Sequence, residues 1–355
     1  MRAIARHIFD HALGESSIRR AFSEQVGCDG RVLGISGNLY DFNAYGRVFV
    51  VSLGKAAHSM LAALSEQTGE RFEGIVSSPI AREYPIPGFR YFHGGHPLPN
   101  ADSIRAAEAI MESLAAEDER SLVIYLLSGG GSAAVEKPVD DRITLDDLIE
   151  TYRVLVHSGA SITEINALRK HLSAIKGGRL AKTAYPAEQV SILVSDVPDP
   201  LPDALASGPT MPDSTTVEDC FRLAAKYNLL EKFPSSVRGL FERHALQETP
   251  KSGDPAFSRA RWSTILSNSV LVHAAKREAE RQGFAVEIDN RCDDWDYERA
   301  ADYLLERVRQ LGRTNARACL LSGGEVTVNV TRAGVGGRNQ QFALYCATRI
   351  QGESI

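Results

Sequence analysis

Thirteen residues, Leu122–Ala134 (LVIYLLSGGGSAA), constrain the fold of this chain more than any other stretch. The apolar, β-branched-rich run Leu122–Leu127 reads as a strand buried on both faces. It stops in Ser128-Gly129-Gly130-Gly131-Ser132. Glycines flanked by hydroxyls let a backbone turn sharply and aim several N–H groups at one point, which is what an anionic oxygen needs. Taken alone, the segment reads equally well as a flexible turn after a strand. The pattern recurs, however. Ala318–Leu321 runs into Ser322-Gly323-Gly324-Glu325, and a third glycine turn lies at Gly334–Gly337. The expectation is a cleft lined by glycine loops that receives something phosphorylated.

A chain of 355 residues is long enough for two domains with separate cores. The net charge of −5 gives no basic surface for nucleic acid or membrane, so an anion site must be a local concentration of cations. The five cysteines are scattered and never form a CxxC pair, which argues against a disulfide framework or a zinc site and suits a reducing cytoplasm. The N-terminal MRAIARHIFDHAL lacks the uninterrupted apolar core of a signal peptide, and no run approaches membrane-span length. A soluble, cytoplasmic protein acting on a small molecule is expected, with a homodimer left open.

Residues 2–27 read as an amphipathic helix or helix pair. Arg47–Leu53 is a strand that runs straight into Gly54-Lys55-Ala56-Ala57 and a helix, which places Lys55 near a helix N-terminus, a natural anion site. This is not a Walker A loop, because the upstream glycine and the hydroxyl after the lysine are both missing. Gly74–Ser78 is a short strand. The Pro/Gly-rich stretch from Pro85 to Asn100 holds His93-Gly94-Gly95-His96; with glycines between the histidines and no third ligand nearby, it reads as a loop at the mouth of a cleft rather than a metal site. Asn100 or Asp102 caps the next helix, Ser103–Glu117.

Gly129–Ala134 formally satisfies G-x-G-x-x-A, the dinucleotide fingerprint. That reading requires a full helix after the loop and an acidic residue closing the next strand. Pro138 stops any helix early, and Asp146 and Asp147 belong instead to Thr144-x-x-Asp147, a cap for the helix Leu145–Val156. The dinucleotide reading fails on context.

Ser161-x-x-Glu164 opens another helix, whose apolar stripe is Ile165, Leu168, Leu172 and Ile175. Arg169 and Lys176 are seven apart and share a face beside that stripe, where a cation can be aimed into a cleft; a solvated basic helix is the alternative. Lys170, His171 and Lys182 are expected to point elsewhere. Gly177-Gly178 within the helix implies close approach of a backbone or ligand. Gln189–Ser195 is a buried strand ending in Asp196, a carboxylate at the sheet edge that could hold Mg²⁺ or accept a proton from a hydroxyl. Residues 213–246 are helical and 247–259 read as a linker. In the remainder, Trp262–Ser267, Phe284–Ile288 and Ala318–Leu321 are strands, and Glu325–Thr331 is a half-exposed strand. Arg338 follows two glycines and precedes a helix, so it can swing toward an anion, with Asn339, Gln340 and Gln341 beside it.

Together these segments resemble the glycerate 2-kinase family, whose C-terminal part is the MOFRL domain. The resemblance rests on SLGKAA (Ser52–Ala57), GGHPLPNADS (Gly94–Ser103), LLSGGGSA (Leu126–Ala133), INALRKHLSAIKGGRLA (Ile165–Ala181), ASGPTMPD (Ala206–Asp213), LSNSVLVHAA (Leu266–Ala275), and LSGGEVTV with GGRNQQFAL (Leu321–Val328, Gly336–Leu344). The chain is also similar to sequences carrying the label hydroxypyruvate reductase, an NAD(P)H activity that the failed dinucleotide reading argues against. The resemblance implies two α/β domains. One is a Rossmann-like, mostly parallel N-terminal domain over 1–246; the other is a smaller mixed MOFRL-like domain over 260–355. It implies ATP-dependent, Mg²⁺-assisted phosphorylation of D-glycerate at its 2-hydroxyl in the cleft between domains, with Lys55 and Arg338 catalytic. Ser128, Gly129, Gly130, Gly131, Ser132, Lys176, Gly323 and Gly324 would hold ATP. Arg169, Asn339 and Gln340 would hold glycerate, and Asp196 would serve as base or metal ligand. The chain departs from the family in two places. It reads Ser195-Asp196-Val197-Pro198-Asp199-Pro200 where relatives have a Gly-Asp pair, which alters the geometry expected around Asp196 and Asp199. It also ends at Ile355, before the family's T-D-G-x-D-G-like acidic loop and final helix, so a truncated or naturally short protein is expected, short of carboxylates for metal or substrate.

Overall fold

The position of the glycine loop follows from a six-stranded, all-parallel sheet. The computed structural model describes residues 1–81, 84–196, 202–329 and 335–353, and the chain divides into two units, 18–266 and 1–17 with 267–355. In the larger unit, α2 (Ile18–Gln25) leads into a small antiparallel sheet of β1 (Val26–Asp29), β2 (Val32–Ile35) and β3 (Asn38–Asp41). The main sheet follows, with β4 (Arg47–Leu53), α3 (Ala57–Thr68), β5 (Glu73–Ser78), β6 (Phe89–His93), α4 (Ala101–Leu114), β7 (Ser121–Ser128) and the single turn α5 (Gly131–Ala134). Then come α6 (Leu145–Val156), α7 (Ile162–His171), α8 (Arg179–Ala184), β8 (Glu188–Val194), α9 (Val217–Lys226), α10 (Ser235–Glu242) and β9 (Ala260–Leu266).

The spatial order β6-β5-β4-β7-β8-β9 is that of a doubly wound fold, with consecutive strands laid outward in opposite directions from β4 and β7. Alternation along the strands feeds two cores. Val50, Leu122, Ile124, Leu126 and Ile192 pack on Phe22, Met60 and Leu64, while Val51, Leu53, Val123, Tyr125 and Leu127 pack on Ile110, Leu114 and Leu180. All eight residues of β7 are buried, as a strand covered by helices on both faces must be. A third cluster (Leu148, Tyr152, Leu168, Leu223, Phe241) joins α6, α7, α9 and α10.

The smaller unit contains α1 (Arg2–Glu15), α11 (Asn268–Arg281), β10 (Ala285–Ile288), α12 (Tyr297–Thr314), β11 (Ala318–Leu321) and α13 (Arg338–Arg349), with β10 and β11 paired in parallel. Ile8 of α1 packs on Ala279 and Phe284, and the buried carboxylate of Glu278 binds His7 at 3.1 Å and Arg281 at 2.6 Å.

Capping boxes form at Asn100/Ser103, Thr144/Asp147 and Ser161/Glu164, where the sequence placed helix starts. Several elements differ from expectation. Residues 89–93 inside the Pro/Gly-rich stretch form the edge strand β6. Residues 260–266, assigned by sequence to the C-terminal domain, hydrogen-bond in parallel to β8 and so belong to the larger unit, while α1 groups with the smaller one. The helix opened by Ser161 ends at His171, and Gly177 and Gly178, at φ 57° and 84°, form the turn into α8 rather than interrupting a helix. The strand expected at Glu325–Thr331 is reduced, among the described residues, to one bridge between Thr327 and Asp296.

Candidate functional site

In an open α/β sheet, ligands bind beyond the carboxyl ends of the strands where the winding direction reverses, here between β4 and β7. The residues just past these ends are Gly54-Lys55-Ala56 and Gly129-Gly130, and Asp196 follows β8 alongside. The two turns are laced together. The Lys55 N–H donates to the Gly129 carbonyl at 2.9 Å, and the Ala56 N–H donates to Ser128 Oγ at 3.0 Å. Ser128 Oγ donates in turn to the Leu53 carbonyl at 3.0 Å. The hydroxyl of Ser128 is therefore consumed in fastening the two turns, not offered to a phosphate. Ser128→Ala is expected to cost about 1–3 kcal/mol of stability through the lost bonds, measurable by urea denaturation.

Glycine is required here because side chains close in on the backbone. A Cβ on Gly129 would stand 1.8 Å from Asp196 Oδ2, and one on Gly54 would stand 2.5 Å from the Ser128 carbonyl oxygen. A Cβ on Gly130, itself at φ 82°, would lie 3.1 Å from Lys55 Cγ and 3.4 Å from His96 Nδ1. Lys55, His96 and Asp196 thus converge on one glycine pair. All three are solvent-exposed, and Lys55 makes no ion pair among the described residues. The Ser132 hydroxyl sits 2.9 Å from that of Ser207, and a Cβ on Gly131 would meet Ala206 at 2.9 Å.

Arg169 and Lys176 do not share a helix face, because α7 stops between them. Lys176 is wholly buried and ion-paired to Glu136, which also accepts from the Tyr152 hydroxyl and, at 2.6 Å, from Ser173 Oγ. In this structure its ammonium is spent inside the protein rather than presented to a nucleotide. Burial, partly opposed by Glu136, pushes the Lys176 pKa down to about 8. The Arg169 guanidinium lies 4.3 Å from the Tyr152 ring centroid, and its buried Nε has no hydrogen-bond partner among the described residues. Lys170 and His171, expected to face away, are buried; Lys170 binds Asp203 at 2.8 Å and Asp213 at 3.2 Å. Gly177 and Gly178 bring their N–H groups onto the Ser207 and Gly208 carbonyls at 3.0 and 2.7 Å, so the partner they approach is backbone.

In the smaller unit, the second glycine loop is held from below. The Gly323 N–H donates to Asn290 Oδ1 at 2.8 Å, and Asp293 accepts from the Glu325 N–H at 2.9 Å; a Cβ on Gly324 would stand 2.4 Å from Asp293 Oδ1. Asn339 ties the loop to α13, accepting from the Val326 N–H and donating to the Gly324 carbonyl. Gln340 accepts from the Gly337 N–H at 3.0 Å and caps α13. Arg338, the first residue of that helix, is half-exposed and ion-paired to Glu325. Asn339 and Gln340 are thus engaged in holding this turn. Asp199 and Gly334 lie outside the described residues.

Among the described residues, no group of three His, Cys, Asp or Glu side chains, Asp196 included, could hold a metal ion. No helix among them is long and apolar enough to cross a membrane.

Fold and strand ends define the class: a doubly wound α/β protein whose candidate site is a lysine and a glycine loop at the topological switch point. A domain of unknown function (DUF4147) matches residues 4–242, and the MOFRL family matches residues 318–355. The chain is 36% identical over 312 residues to a D-glycerate 2-kinase of Thermotoga maritima, covering 86% of this chain and 72% of that protein. It is 35% identical over 315 residues to a glycerate 2-kinase of Pyrococcus horikoshii, covering 87% and 71%. The crystal structure of glycerate kinase from Thermotoga maritima superposes with a TM-score of 0.80 at 32% identity, covering 99% of this chain and 80% of that one. The chain belongs to the glycerate 2-kinase family.

Proposed function

We propose that this protein transfers the γ-phosphoryl group of ATP to the 2-hydroxyl of D-glycerate, giving 2-phosphoglycerate. The observation that carries the reading is the convergence of Lys55 and Asp196 on the Gly129-Gly130 turn at the switch point. Phosphoryl transfer asks a protein chiefly for positioning and for neutralisation of charge on the moving group. Lys55 is an exposed ammonium that makes no ion pair among the described residues, on a four-carbon stem able to follow that charge. The Gly129–Ser132 turn, free of side chains where Lys55 and His96 meet it, lets phosphate oxygens approach the backbone. Asp196 is an acceptor beside it. A magnesium ion would arrive on the nucleotide's own phosphates, since no group of three His, Cys, Asp or Glu side chains among the described residues could hold a resident ion.

Arg338 is proposed as a second cation of the reaction, released from Glu325 when an anion competes for it. Arg338→Ala is expected to lower kcat about 10²–10³-fold, while the smaller unit stays folded because the side chain is half-exposed. Thermal melting together with initial rates would check both halves of that statement.

The reading is tested by ADP release with D-glycerate, L-glycerate and hydroxypyruvate side by side, and by NAD(P)H oxidation with hydroxypyruvate alone. ADP release with D-glycerate is expected. Oxidation of NAD(P)H without ADP release would replace the kinase with a reductase.

A further inference from the structure

The kinase reading leaves one group at the switch point without a task. His96 lies on the loop after β6, more than thirty residues in sequence from both turns at the switch point, and the fold brings it there by tying that loop down twice. The Gly95 N–H donates to Ser103 Oγ at 3.0 Å, and Asn100, the cap of α4, donates through Nδ2 to the His93 carbonyl at 3.0 Å. Gly94 packs so closely that a Cβ there would stand 2.2 Å from the Ala134 carbonyl oxygen at the end of α5. The result is an imidazole seated against Gly130, the same residue that the Lys55 stem touches.

We propose that His96 is the general base of the transfer, taking the proton of the acceptor hydroxyl as its oxygen attacks the γ-phosphorus. The inference rests on the kinase reading above. Three features of the site carry it. The ring is exposed and, among the described residues, makes no hydrogen bond, so a ring nitrogen is open to a ligand. It stands beside the ammonium proposed to gather phosphate charge, which is where an acceptor hydroxyl must also sit for in-line attack. The charges acting on it come from Lys55 on the β4–α3 turn and Asp196 after β8.

Those surroundings set its protonation state. Desolvation first, and then Lys55, lower the His96 pKa below its ordinary value, while Asp196 opposes them. A lowered pKa leaves the ring neutral near pH 7, and only a neutral imidazole can accept a proton. In the step itself, the hydroxyl O–H bond breaks and its proton passes to a ring nitrogen. The freed oxygen pair forms the bond to γ-phosphorus, and the bond from γ-phosphorus to the bridging oxygen breaks, its electrons leaving with ADP. The imidazolium afterwards returns its proton to water.

The test is the pH dependence of kcat/KM for ADP release, measured with D-glycerate on the wild type, His96→Gln and Asp196→Asn. The wild type is expected to lose activity on acidification as His96 protonates. His96→Gln is expected to lower kcat by about 10²-fold or more, to abolish that acid limb, and to leave the KM for ATP nearly unchanged. Asp196→Asn, which removes the group holding the His96 pKa up, is expected to keep a limb and move it to lower pH. A His96→Gln enzyme with wild-type kcat, or with the acid limb intact, overturns the role of His96 while leaving the kinase reading standing. Absence of ADP release from the wild type with every acceptor overturns both.

Discussion

Replacing Lys55 with methionine is expected to lower kcat for ADP formation by about 10³-fold or more, with a melting temperature close to that of the wild type. The two halves of that expectation have separate physical causes. Methionine keeps most of the stem that lies along Gly130, where Lys55 Cγ and Cε stand 3.1 and 3.3 Å from the glycine's Cβ position. What is lost is the charge, and that charge is exposed and makes no ion pair among the described residues, so folding owes it little. The turn that carries it is held by the Lys55 backbone N–H and by Ser128, both untouched by the substitution. Turnover comparable to wild type in Lys55→Met would remove the ammonium from the reaction and with it the central element of the proposed site.

The second large effect is on stability. Glu136→Gln is expected to destabilise the larger unit by about 3–5 kcal/mol, read as a lower urea midpoint with an unchanged slope. Glu136 is fully buried and binds Lys176, Tyr152 and Ser173 at once, so the neutral amide strands a buried ammonium without its counter-charge. The pH dependence follows from the same cluster. The folded-state pKa of Lys176 is pushed down to about 8. Between there and the ordinary lysine value, the unfolded chain holds a proton that the folded one has released, so this group makes stability rise with pH across the window. Without Glu136, which raises the Lys176 pKa, the neutral form is favoured further. The deficit of Glu136→Gln is therefore expected to be greatest below about pH 8 and to shrink above it. An equal deficit at pH 7 and pH 10 would show that Lys176 does not titrate in this pair.

How much of the site could be read from the chain depends on whether a residue's place is set locally. Lys55 and the Ser128–Ser132 loop were legible because each directly follows a strongly apolar strand, and in a parallel sheet all such ends emerge at one edge. Asp196 follows by the same logic. His96 was legible only as part of a loop at a cleft mouth, with no role of its own, since the strand before it, Phe89–His93, lies at the sheet edge among glycines and prolines and shows little apolar signal. The seven-residue spacing of Arg169 and Lys176 presumed a continuous helix. Backbone contacts of Gly177 and Gly178 with Ser207 and Gly208 ended that helix, and no local pattern announces contacts thirty residues away. The one hint was the pair of glycines itself. Likewise Lys170 reads as a surface lysine until Asp203 and Asp213 are folded over it.

By itself, the sequence determined the buried central strands, where the capped helices begin, and that glycine turns follow those strands, because these depend on neighbours within a few residues. The tertiary structure alone decided which of those turns meet. The strand order β6-β5-β4-β7-β8-β9 sets Lys55 beside Gly129 and Gly130 and brings His96 to the same point. It also decided which charges remain available: Lys55 stays in solvent, while Lys176 is consumed by Glu136. The loop Ser128–Ser132 contains both outcomes, its serine hydroxyl turned inward to hold the fold and its glycines left bare for the groups that surround them.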